Sequence, residues 1–188
     1  MKRNFVLGVL ATLLVAPGAA RAANPDLDLS QRFLLLATTK TSTMQKELSE
    51  AAAVGYRVIG SSPTAGNEMV VILEKVATPP QTYEYQLLAT SRTSTMQKEL
   101  SEAAAKGFRL MPKSIIAKQQ MLAGIEIVML LEKAPASQQR YKYLLLATSR
   151  TSTMQKEMAQ ATDEGYEVVG MASRGEHVVI MEKPEGGG

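Results

Sequence analysis

Apolar positions recur in three matching patterns along this chain of 188 residues. Each pattern opens with a nearly unbroken apolar run, Phe33-Leu34-Leu35-Leu36-Ala37 in the first, answered by Tyr85 to Ala89, with Gln86 as its polar member, and by Tyr143 to Ala147. A run this short, with hydroxyl residues after it, predicts a strand. Met44, Leu48, Ala51 and Ala52 then fall at helical spacing and predict a helix with one apolar stripe. Gly55 follows in the left-handed position that closes a helix, as do Gly107 and Gly165 in the other copies. Tyr56-Arg57-Val58-Ile59 predicts a second strand. Val70-Val71-Ile72-Leu73, apolar at both parities, predicts a last strand covered on both faces.

The order strand, helix, strand, strand constrains the topology. A right-handed crossover makes the first two strands parallel, and the returning strand then lies between them, antiparallel to both. The expected fold is α+β: three tandem βαββ repeats, each a three-stranded antiparallel-type sheet with one helix. A unit of about 45–50 residues buries too little surface to stand alone. The sheets are therefore expected to pack together with the helices outside, in an arrangement compatible with pseudo-threefold symmetry. The repeats span residues 32–76, 84–134 and 142–184, joined by linkers at 77–83 and 135–141 that carry Pro79, Pro80 and Pro135, with a flexible tail at 185–188. Residues 63–66, 113–124 and 173–175, different in length and composition, read as hairpin connections.

One block is written almost letter for letter three times: residues 35–48, 87–100 and 145–158, each containing Thr-Ser-Thr-Met-Gln-Lys-Glu. Ser42 with Gln45, Ser94 with Gln97 and Ser152 with Gln155 have the spacing of a capping box. A cation stands before each run of hydroxyls, so Lys40, Thr41, Ser42 and Thr43, then Arg92, Thr93, Ser94 and Thr95, then Arg150, Thr151, Ser152 and Thr153 are the candidate ligand-binding residues. Backbone N–H groups at a helix start, hydroxyls and a cation suit phosphate, sulfate or a carboxylate. Capping alone tolerates several residue types and explains poorly why the block is kept whole. Packing of the block within the repeat array explains it as well as a ligand does.

The first residues change the charge picture. Lys2 and Arg3, the apolar run from Phe5 to Val15 and then Ala20-Arg21-Ala22 have the order of a secretory signal peptide over residues 1–22, followed by a flexible lead at 23–31. The apolar run is well short of the roughly 20 residues a spanning helix needs. Three of the 21 Lys and Arg lie in that leader, so the mature chain balances 18 basic against 18 acidic residues. Nothing in that balance points to nucleic acid, and no integral membrane segment is expected after cleavage. The expected location is periplasmic or secreted. With no cysteine, stability rests on buried apolar surface rather than disulfides.

Other chemistry is sparse. His177, the only histidine, aligns with Met69 and Ile127, which marks a strand position rather than a catalytic one. No phosphate-binding glycine loop, metal-ligand cluster or calcium loop is present, and no cofactor is expected. Recurring glutamates at helix starts and strand ends suit the helix dipole and solvated edges. The expected function is that of an exported non-enzymatic binding or structural module, with a small anionic ligand or self-association as its partner. The alternative is a hydrolase or transferase using a Ser or Thr of the block, with Lys46, Lys98, Lys156 or a glutamate as the only bases. Tyr85, Leu100, Gly107-Phe108 and the run from Val128 to Lys133, with their counterparts in the other repeats, resemble small bacterial βαββ domains of a family of unknown function. That resemblance implies the fold and no activity.

Overall fold

The computed structural model describes residues 27–63, 67–76, 82–120 and 124–186. The leader at 1–22, the hairpin tip at 64–66 and most of the first linker lie outside the described residues. The first unit consists of β1 (Phe33–Thr38), α1 (Thr41–Ala53), β2 (Tyr56–Pro63) and β3 (Met69–Lys75). The second has β4 (Glu84–Thr90), α2 (Thr93–Ala105), β5 (Arg109–Leu110), a 3-10 turn at Pro112–Ser114, β6 (Ile116–Gln120) and β7 (Gly124–Lys133). The third has β8 (Arg140–Thr148), α3 (Thr151–Asp163), β9 (Glu167–Ser173) and β10 (His177–Glu185).

Each unit forms its own antiparallel sheet with the last strand in the middle: β1-β3-β2, β4-β7-β5 and β8-β10-β9. The register is the same in all three, Leu35 opposite Ile72, Leu87 opposite Leu130 and Leu145 opposite Ile180. The α+β architecture of three sheet-and-helix units is thus the one the apolar pattern predicts.

The second unit departs from that pattern. Residues 113–124 are not simply a connection, because β6 pairs with β7 and makes this sheet four-stranded. The second strand breaks where Pro112 has no N–H to contribute, and Ser114 repairs the ladder. Its buried hydroxyl accepts the Leu130 N–H at 2.9 Å, while the Met111 N–H reaches the Leu130 carbonyl at 2.9 Å.

Each helix buries its stripe on its own sheet, and α1 and α2 also seat the first strand of the next unit. Leu34, Leu36, Val71 and Leu73 form one core with Met44, Leu48, Ala51 and Ala52, and that core continues into Tyr85, Ile116, Val128 and Leu130 of the second unit. The second core repeats the scheme, joining Met96, Leu100 and Met129 to Tyr143, Leu145, Val178 and Ile180 of the third. The third core has only Met154, Ala161, Val179 and Met181 as fully buried members. Truncating Leu48 or Leu100, each 0% exposed, should cost about 2–5 kcal/mol.

The expectation that every last strand is covered on both faces holds for two units. Val128 to Leu131 and Val178 to Met181 are all buried, but Ile72 in the first unit is 42% exposed beside Phe33 and Leu35. The outer face of the second sheet is covered by the first unit, and that of the third by the second. Nothing among the described residues covers the outer face of the first.

Candidate functional site

The three helix starts are built alike. Lys40, Arg92 and Arg150 occupy the N-cap positions in extended conformation, and no side chain caps any of the three helices. Instead, the hydroxyls of Thr38, Thr90 and Thr148 each accept the N-cap backbone N–H at 3.2 Å, tightening the turn from strand to helix. Ser42 with Gln45, Ser94 with Gln97 and Ser152 with Gln155 therefore form no capping boxes. Ser42, Ser94 and Ser152 lie inside the first turn and are exposed, and the first two glutamines of the block are engaged elsewhere. Gly55, Gly107 and Gly165 do close their helices, with φ of 91°, 92° and 87°.

The candidate ligand residues form three separate clusters, one at each helix start. Lys40, Ser42, Arg92, Ser94, Arg150, Thr151 and Ser152 are exposed, while Thr41, Thr43, Thr93, Thr95 and Thr153 are half-buried. A cation from the following unit approaches the first two starts. Lys118, itself buried, donates to the Thr39 carbonyl just before α1. Arg174 donates through Nη2 to the Thr93 hydroxyl, which in turn lies 3.3 Å from Glu176 Oε1. The Arg174 side chain is 7% exposed, and its Nη1 is buried without a hydrogen-bond partner.

The glutamine of the block has a different task from capping. Gln45 Nε2 donates to the Tyr85 carbonyl at 2.9 Å, and its Oε1 accepts the Leu87 N–H at 2.7 Å. Gln97 does the same to Tyr143 and Leu145, at 3.0 and 2.8 Å. A primary amide carries one acceptor and one donor side by side, so it completes the open edge of a strand as the next strand's peptide group would. Ser49 and Ser101, at 3.1 Å from the respective Nε2 atoms, hold each amide in place. This requirement, unlike capping, admits little besides glutamine.

Beside each clamp sits an Arg-Glu-Tyr cluster that spans two units. Arg57 grips Glu132 with Nη2 and Nε at 2.9 and 3.1 Å, and the Tyr85 hydroxyl donates to the same carboxylate at 2.8 Å while accepting the Val58 N–H at 2.9 Å. Arg109 grips Glu182 at 2.5 Å, and the Tyr143 hydroxyl accepts the Leu110 N–H at 2.8 Å. The guanidinium groups also stack on Tyr83 and Tyr141, 4.7 and 4.3 Å from the ring centroids. Burial first, and the nearby glutamate carboxylate second among the raising causes, push the Tyr85 and Tyr143 hydroxyls well above the ordinary tyrosine range.

An open groove of about 530 Å³ runs along these joints, lined among others by Arg57, Arg109, Lys113, Glu132 and Tyr141. Both of its arginines are already committed to glutamates, so they offer no spare charge to a ligand. Among the described residues, no group of His, Cys, Asp or Glu is arranged to hold a metal ion. His177 is half-buried at the start of β10, opposite Thr148 and Ser173. No described helix is long and apolar enough to cross a membrane.

The residues of the joints escaped the sequence reading because it followed what the repeats share. The signal lay in where they differ. Tyr83 and Tyr85, like Tyr141 and Tyr143, have Gln31 and Phe33 as first-unit counterparts, and Arg57 and Arg109 have Glu167 in the third. The substituted positions are those that would face a unit the described chain does not have. No protein-family model, curated protein or solved structure matches this chain.

Proposed function

We propose that this protein is an exported, non-enzymatic structural module, kin to the small bacterial βαββ domains, in which the thrice-written block is the connector between units. The observation that carries this reading is the glutamine clamp, made twice at equivalent places with distances agreeing to 0.1 Å. It accounts for the constancy of the block in the first two units, where one stretch must build a helix, fill a core and complete a neighbour's strand edge. The alternative of a Ser or Thr nucleophile finds little here. Thr93 is tied to Arg174 and Glu176, and Lys46 and Lys98 lie within 3.7 and 3.8 Å of Glu50 and Glu102.

Two measurements test the proposal. Gln97→Ala should lower the melting temperature by several degrees, since a half-buried edge loses a donor and an acceptor worth about 1–2 kcal/mol and each kcal/mol moves a domain of this size by about 2–4 °C. An unchanged melting temperature would remove the connector role. Intact mass of the protein from envelope and secreted fractions should show a chain beginning at Ala23, and recovery of only the uncleaved chain in the cytoplasm would end the claim of export.

A second reading, a small anion at the start of α2, is favoured by Nη1 of Arg174, buried without a hydrogen-bond partner, although Nη2 of the same guanidinium is held by Thr93 and lies 3.2 Å from Glu176. Saturable stabilisation by phosphate or sulfate, lost in Arg92→Gln with Arg174→Gln, supports it. A response that never saturates and is equal in mutant and parent is general exclusion of the salt from the surface and refutes it.

A further inference from the structure

Among the described residues, the two ends of the array carry faces that correspond to the two halves of its internal joints. At the head, Phe33, Leu35 and Ile72 are 50%, 61% and 42% exposed, at the positions where Tyr85, Leu87 and Leu130 are covered by the preceding unit. At the tail, Val168 and Met171 are 55% and 59% exposed. Val168 corresponds to Val58 and Leu110, which are 4% and 2% exposed beneath the following unit. Met171 corresponds to Ser61, which donates to Lys113 of the following unit at 3.0 Å. Of the seven exposed large apolar residues among those described, five thus lie on these two faces. Exposed apolar groups gathered in this way mark an interface rather than scattered surface residues.

The polar groups at the two ends also correspond. Gln155 is kept on α3 and exposed, with no strand edge to complete among the described residues, while β1 is an edge strand whose Phe33 carbonyl and Leu35 N–H stand where Gln45 finds Tyr85 and Leu87. The charges of the joint change at the ends. Glu167 replaces the arginine of the internal joints, while Glu74 keeps the place of Glu132 and Glu182 and is held by Arg32 at 2.7 Å within its own unit. Phe33 in place of tyrosine leaves out a hydroxyl whose internal counterparts bond a glutamate and a backbone N–H.

From this we infer that a second copy of the chain docks head to tail, the β1 face of one copy against the α3 and β9 face of the next, with Gln155 on the β1 edge and Glu167 beside the Arg32–Glu74 pair. The contact is heterologous, so it extends into a filament or closes into a ring according to the rotation per copy. The inference rests on the structural reading of the block, and the two fail separately. A destabilised Gln97→Ala in a protein that never associates removes only this inference.

The test is sedimentation velocity on the protein with its native N-terminus, across a concentration series. The parent should form species larger than one chain as concentration rises. Leu35→Arg, at the head, and Met171→Arg, at the tail, should each be monomeric alone, and an equimolar mixture should give a dimer and nothing larger, because one intact head meets one intact tail. That mixture also shows that both variants are folded. Should either variant fail to fold, the milder Gln155→Ala and Arg32→Gln, both at exposed sites, should still weaken association by about tenfold each. A parent that is monomeric at every concentration overturns the inference. So does a Met171→Arg variant that associates as the parent does, since that means a symmetric head-to-head contact.

Discussion

Arg109 in the second unit holds Glu182 in the third, with Nη2 2.5 Å from Oε1, and the carboxylate is 6% exposed while the guanidinium is half in solvent. Taking away the arginine therefore strands a charge that water cannot reach. Arg109→Ala should destabilise the protein by about 2–4 kcal/mol, somewhat below the loss for a fully buried pair. Adding Glu182→Gln to that variant should restore part of the loss, which urea unfolding of the two variants would show. Equal stability of single and double mutants would mean that Glu182 finds another partner.

The tyrosines beside these ion pairs give the joints a dependence on alkaline pH. Their folded values lie above the ordinary value of 10.0, so below that pH both folded and unfolded forms are protonated and the joint is intact. As pH rises past it, the unfolded chain releases protons that the folded chain keeps, and stability falls. Ultraviolet titration should show Tyr85 and Tyr143 among the six tyrosines failing to ionise until the protein unfolds. In Tyr85→Phe with Tyr143→Phe, the steep alkaline loss should be shallower. An unaltered slope would assign it to other groups.

Gly107 and Gly165 share a left-handed backbone but not their surroundings. A Cβ on Gly107 would come 2.9 Å from Arg140 Nη1, whereas one on Gly165 meets nothing within 4 Å. Gly165→Ala should cost about 1–2 kcal/mol, the strain of a side chain in that conformation. Gly107→Ala should cost about the same, because the close contact is with the far end of the Arg140 side chain, which can swing aside. Chemical denaturation of the two variants checks this, and a clearly larger loss at Gly107 would mean that Arg140 cannot give way.

The second unit taken alone should not behave as a domain. Residues 84–134 would expose Tyr85, Val128 and Leu130 on one side and Leu110 and the uncompleted second core on the other. The fragment should be unfolded or self-associating by light scattering. A monomeric fragment with a cooperative transition would show that a unit can close its own core.

Much of this fold could be read from local pattern. The apolar runs, the helical stripe from Met44 to Ala52 and the glycines after each helix give the elements, their order and the antiparallel return strand, because each depends on a few neighbouring residues. The strand β6 was not legible, since Pro112 interrupts the run and Ser114, a polar residue, carries the ladder across the break. The role of Gln45 was hidden for another reason. Its spacing from Ser42 matches a capping box, and only the approach of β4 from the next unit decides which backbone groups the amide meets. The ion pairs from Arg57 to Glu132 and from Arg109 to Glu182 span 75 and 73 residues, a separation that no local pattern reports.

Because each core borrows strands from the unit that follows, the order of synthesis sets when each can close. The first core needs Ile116, Val128 and Leu130, and the second needs Val178 and Ile180. At about 5–20 residues per second, the first unit therefore waits several seconds after its own last strand has left the ribosome, and the second waits as long again for β10. Folding of the array is delayed by its own connectivity, and the growing chain meets its surroundings for most of that time with its apolar strands unclosed.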